Sequence, residues 1–114
     1  MNFEDLKDKV LRWADDKDLL HSNNADVQFM KFIEEVFEFK TEFDFVCYLN
    51  INEHTFHGME LEMGDIFVTL IILCEQIGID PVECLSMAYE KIKDRSGKTI
   101  NGNFFKQEDL EGME

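Results

Sequence analysis

The stretch Glu60–Gly78, ELEMGDIFVTLIILCEQIG, decides the fold. Its centre, Ile66 to Cys74, is apolar almost all round, broken only by Thr69. That pattern marks a buried helix, and Gly78 is a natural stop for it. The run is too short to cross a bilayer, which takes about 18 consecutive apolar residues or more. Working outward, this helix starts near Gly58, after a loop over Asn50 to His57. Before the loop, a second helix is expected from about Ala25 to Leu49. Asn2 can cap a first helix from about Phe3 to Leu20, with Phe3, Leu6, Val10 and Trp13 at helical spacing. On the other side, Asp80-Pro81 opens a fourth helix that reaches about Arg95. Strand-like alternation is absent over any useful length. The expectation is one all-α domain over residues 1–114, a four-helix bundle with an aperiodic surface tail from about residue 96.

Composition agrees with a globular chain. Of 114 residues, 45% are hydrophobic and 32% charged, with eleven Phe and a single Pro. That excludes disordered and collagen-like classes. Eleven Lys and Arg face twenty-five Asp and Glu, a formal charge of −14. Such a field repels duplex nucleic acid and anionic membranes, so neither is expected as a partner. A small anionic substrate would need cations, from a metal or a local basic patch. The acidic N-terminus lacks the basic region of a signal peptide. Cys47, Cys74 and Cys84 show no CxxC spacing and read as core thiols of a cytoplasmic protein.

The carboxylates carry the chemistry. On a helical wheel with Glu34 at zero, Glu38, Lys31, Glu42 and Glu35 fall at roughly 40–100°, and an aromatic face spans roughly 140–300°. Alone, such a stripe is what any solvated helix face looks like. Glu62 and Asp65, three apart, share a face on the next helix. They lead directly into the buried run, where unpaired charge is costly. They could instead sit at an exposed helix start, where the dipole favours acids. Two such acidic pairs on facing helices can hold one or two Mg²⁺ ions, a hard cation that takes oxygen ligands and completes its shell with substrate phosphates. Lys91, Lys93, Arg95 and Lys98 place four of the basic residues within eight positions. Lys91 and Arg95 are four apart and hence on one helix face. They would complement a helix C-terminus or clamp phosphates.

Lys31-x-x-Glu34-Glu35-x-x-Glu38 followed by Glu62-x-x-Asp65 resembles the MazG-like all-α nucleoside triphosphate pyrophosphohydrolases, and Lys91 and Arg95 match their phosphate-contacting pair. The stretch from about Gln28 to Leu110 looks like the short, single-domain members common in phages and their hosts. Tyr89 departs from the pattern, since many relatives have Asn there. The resemblance implies hydrolysis of a (deoxy)nucleoside triphosphate to monophosphate and pyrophosphate. Glu35, Glu38, Glu62 and Asp65 would be the Mg²⁺ ligands, with Mn²⁺ as a substitute ion. Lys91 and Arg95 would hold phosphates, with Lys31 a further candidate, and Glu34 would orient or deprotonate the attacking water. Related activities, dimeric dUTPase-like or phosphoribosyl-ATP pyrophosphatase-like, share the bundle and the acids. From a different class, a silent helical protein-binding module would keep the fold without the chemistry.

Other features read more plainly. His54 and His57 lack further nitrogen or sulfur ligands within sequence reach, so no zinc site is expected. Gly97-Lys98-Thr99 ends like a phosphate-binding loop, but its first Gly would have to stand at Ile92. Trp13 is expected in the core or an interface. The Phe residues at 29, 32, 37, 39, 43 and 45 exceed what one side of a small bundle hides. A homodimer or dimer of dimers is therefore expected. Glu42, one turn beyond the acidic motif, is expected to matter little.

Overall fold

In a computed structural model the described residues are 1–49 and 55–112. The first helix, α1 (Phe3–Asp16), begins with a reciprocal cap. The Asp5 backbone N–H donates to Asn2 Oδ1 at 2.9 Å, and the Asn2 N–H donates to Asp5 Oδ2 at 3.3 Å, satisfying two of the donors a helix start leaves open. It ends at Asp16, four residues before the expected Leu20, and a short 3₁₀ turn (Ser22–Asn24) leads into α2 (Ala25–Asp44). The α-helical part of α2 stops at Asp44, and Phe45–Leu49 form a π-helical turn. The expected loop falls mostly on residues 50–54, which with His54 lie outside the described residues. The long α3 (Phe56–Ile77) is capped by Thr55, whose hydroxyl accepts from the Gly58 N–H at 3.0 Å. It closes at Gly78 in the left-handed conformation.

Contacts divide the chain into two units, residues 1–81 and 82–114. In the first, α3 packs against both α2 and α1. Its apolar run supplies most of the buried core: Ile71, Ile72, Leu73 and Cys74, joined by Ala14 of α1. Two buried amides tie neighbouring segments to this helix. Gln28 Nε2 of α2 donates to the Thr69 carbonyl at 3.2 Å, and Gln76 Nε2 donates to the Leu19 carbonyl at 2.7 Å. Lys7 is buried along its stem and reaches Glu4 at 3.0 Å and Asp80 at 3.4 Å.

The second unit holds α4 (Pro81–Ile92) from its second residue on, strands β1 (Gly97–Ile100) and β2 (Asn103–Lys106), and α5 (Gln107–Glu111). The strands pair antiparallel, with Ile100 opposite Asn103. This corrects the expected aperiodic tail. Asn101 and Gly102 both take positive φ, 51° and 80°, the conformation a two-residue hairpin turn demands and Asn-Gly supplies. A Cβ on Gly97 would lie 2.0 Å from the Phe105 carbonyl oxygen, so only glycine allows the strands to close there. The fold class is thus mostly helical, with a small hairpin added.

Two further expectations change. Only Cys74 is a core thiol; Cys47 and Cys84 are exposed, and none of the three is in a disulfide. Of the two places expected for Trp13, core or interface, the core is excluded: it is 52% exposed, lining an apolar groove with Lys9, Val10 and Val68. Among the described residues, no helix is long and apolar enough to cross a membrane.

The Gln76 amide makes a direct prediction. Gln76→Ala removes the donor to Leu19 and opens space in the core, so it should lower unfolding stability by about 1–3 kcal/mol. A urea titration followed by circular dichroism checks it, and an unshifted midpoint contradicts the role given to the amide.

Candidate metal centre

Helices α2 and α3 run antiparallel. Gln28 meets Thr69 near one end of the contact, and Glu42 lies against Gly58 near the other. Between those points sit the carboxylates. One oxygen each from Glu35, Glu62 and Asp65 can be chosen so that all lie within 4.8 Å of one another. Glu35 and Glu62 are half-buried, and Asp65 is exposed. The spacing explains the convergence: Glu62 and Asp65 are one turn apart on α3, and Glu35 is the α2 residue that points to them.

The electrostatics of this cluster are unfavourable as it stands. Glu35 is pushed above the usual carboxylate value of 4.5, first by burial, then by the Glu38 charge, a hydrogen bond to Glu38, and the charges of Asp65 and Glu62. Glu62 is likewise raised, first by burial and then by Glu38, Asp65 and Glu42. Glu38 is exposed but bears on both. The Oε2 atoms of Glu35 and Glu62 are shut off from solvent and make no hydrogen bond. A buried carboxylate oxygen without a donor costs free energy unless a proton or a cation meets it. Three oxygen donors from two rigid helices, with two such orphaned atoms, fit a hard divalent cation.

The remaining expected residues fall as follows. Lys31 and Glu34 are exposed on α2, beside the cluster rather than in it. In the second unit, Lys91 lies in the last turn of α4, but the helix stops at Ile92. Arg95 therefore sits in the turn beyond, its N–H donating to the Ile92 carbonyl at 3.0 Å. The two do not share a helical face. Arg95 instead lines a depression of about 400 Å³ with Ser96, Lys106, Gln107, Glu108 and Glu111. Tyr89 is 58% exposed on α4.

Glu42 is the residue that sequence reasoning set aside. It is half-buried, its charge raises Glu62, and its Oε1 is 3.3 Å from where a Cβ on Gly58 would lie. The signal was present, since Glu35 and Glu42 are seven apart and so lie on one face two turns apart. The expected indifference of Glu42 does not fit this placement. Comparison with family models, with curated proteins and with solved structures returns no match.

The raised carboxyls set the direction of a pH effect. Folded Glu35 and Glu62 hold their protons to higher pH than they do unfolded. From 4.5 up to the raised native value the folded state binds more protons, so stability falls as pH rises through that window. In chelator-treated protein, the stability of wild type relative to Glu35→Gln should decline as pH is raised from 4.5 toward neutrality. Urea midpoints measured across this range test it; a difference independent of pH contradicts the raised carboxyl.

Proposed function

We propose that this protein is a Mg²⁺-dependent nucleoside triphosphate pyrophosphohydrolase of the MazG-like, all-α four-helix type. The observation that carries this reading is the pair of buried oxygens without a hydrogen-bond partner, one on Glu35 of α2 and one on Glu62 of α3, in carboxylates that cluster with Asp65 of α3. In it, Glu35, Glu62 and Asp65 hold the metal, and Glu38 completes the set from the solvent side. When bound, the ion neutralises phosphate oxygens and lowers the pKa of a water, the two needs of attack on phosphorus. Glu34, exposed one position before Glu35, is the residue proposed to orient or deprotonate that water. Lys31, on the same helix, is a phosphate contact in this reading, while Lys91 and Arg95 enter through the resemblance alone. Self-association as a homodimer or dimer of dimers is part of the proposal, and rests on the exposed apolar residues of the helices rather than on the acids.

The chemistry of an acidic protein supports the metal. A triphosphate approaching a chain of formal charge −14 needs a cationic shield. Pyrophosphate release from a panel of ribo- and deoxyribonucleoside triphosphates with Mg²⁺ tests the activity and identifies the base. Glu38→Gln and Asp65→Asn should each reduce it by roughly 10²–10⁴ while helical content is kept. Wild-type activity in Asp65→Asn would show that the cluster is only a solvated face. Independently, millimolar Mg²⁺ should raise the melting temperature relative to chelator, because it binds the native state alone and relieves carboxylate repulsion. Superimposed melting curves would contradict a preformed site.

A further inference from the structure

Negative charge is not spread evenly along the chain. Residues 95–106 hold three basic side chains, Arg95, Lys98 and Lys106, and no acid, in a chain of formal charge −14. The hairpin sorts these three. Lys106 stands opposite Gly97, and Lys98 opposite Phe105, so the two lysines lie on opposite faces of the ribbon. Phe104, two residues before Lys106, shares its face. The Phe104 ring leans over Gly97, where a Cβ would come within 2.8 Å of the ring Cζ. The Gln107 N–H donates to the Ser96 carbonyl at 2.8 Å. That bond ties the start of α5 to the entry of β1, so that Arg95 and Lys106 line one depression.

Arg95 borders a second depression as well, of about 370 Å³, where it meets Ile92 and Phe104. Those two side chains are 50% and 51% exposed. Among the described residues, neither Arg95 nor Lys106 has a side-chain hydrogen bond or ion pair, and Lys106 is half-buried. A partly desolvated ammonium beside a free guanidinium is unfavourable until an anion meets both. Glu108 and Glu111 stand in the wall of the same depression yet pair with neither cation. Three chemistries therefore converge on Arg95: free cations, carboxylate acceptors and an exposed aromatic ring. A phosphate monoester dianion matches the two cations in charge. Sugar hydroxyls have donors for the carboxylates. A planar base has the Phe104 ring and the guanidinium to lie against. We infer that residues 92–111 form a binding site for a nucleoside monophosphate, held by Arg95, Lys106 and Phe104 without a metal ion. The site goes beyond the activity proposed above. It uses the hairpin rather than the carboxylates of the metal centre, and it pairs Arg95 with Lys106 rather than with Lys91.

Isothermal titration calorimetry of the full chain in chelator tests it, with adenosine monophosphate, adenosine and inorganic phosphate as probes. Adenosine monophosphate should bind about 10-fold more tightly than either of its parts, or better. Arg95→Ala and Lys106→Ala should each weaken it about 10-fold or more. Phe104→Ala should weaken adenosine monophosphate and leave the binding of inorganic phosphate unchanged. Lys98→Ala removes the same charge from the other face of the hairpin and should leave all three affinities unchanged. Equal losses in Lys98→Ala and Lys106→Ala would overturn the site and leave only a diffuse field. Inorganic phosphate bound as tightly as adenosine monophosphate would overturn the role given to Phe104. No binding of adenosine monophosphate at millimolar concentration would overturn the inference outright. Amide shifts of the wild-type protein give a reading without mutation: ligand-induced changes are expected at residues 95–96 and 104–107, and changes confined to other residues would overturn the assignment. A chain that binds adenosine monophosphate in chelator but releases no pyrophosphate with Mg²⁺ keeps this inference and loses the proposed activity; the reverse result loses only this inference.

Discussion

The antiparallel contact between α2 and α3 is the constraint on which the first unit depends. It buries the apolar run of α3, seats the Gln28 amide on the Thr69 carbonyl, and drives four carboxyls onto one edge. Hydrophobic burial along most of the interface offsets the repulsion at one point of it. The acids are held together by neighbours that have nothing to do with charge. Their arrangement therefore belongs to the fold.

Much of this was legible in residue spacing. The apolar run Ile66–Cys74 announced a buried helix, and the three-residue steps Glu35–Glu38 and Glu62–Asp65 placed carboxyls on common faces. The wheel also separated the acidic stripe of α2 from its aromatic one. The wheel set Glu42 on that stripe as well; what spacing does not encode is that its side chain is half-buried beside Gly58 and that its charge bears on Glu62. The hairpin was missed for a different reason. Its strands have four residues each, too short for alternation to register, and its one strong mark is the Asn101-Gly102 dipeptide. Arg95 was set on a helical face because the periodic pattern runs past Ile92, whereas the chain turns before it. Element ends are decided by local backbone pairing that periodicity does not encode.

The burial of the aromatic residues was the least legible feature. A stripe of Phe at helical spacing fits a core and an interface equally well, since both are surfaces removed from water. Phe29 and Phe37 are more than half exposed in the single chain, while Phe32 and Phe39 on the same helix are only partly so. Pattern identifies the apolar side of a helix; it does not say whose atoms lie against it.

The charge distribution leaves the acidic edge without a basic partner among the described residues. Several of the Lys residues are already engaged: Lys7 with Glu4 and Asp80, Lys40 with Asp44 at 2.8 Å, and Lys93 with Glu90 at 2.6 Å. Among the described residues, no basic side chain pairs with the buried oxygens of Glu35 and Glu62. Neutralisation then falls to a proton or a cation from solution. The two compete for the same oxygens, since a carboxyl holding a proton is a poor ligand. Burial raises the proton affinity of the site, and it also removes the water that would otherwise screen a bound ion. The desolvation that makes the empty cluster costly is therefore what gives it a reason to bind charge.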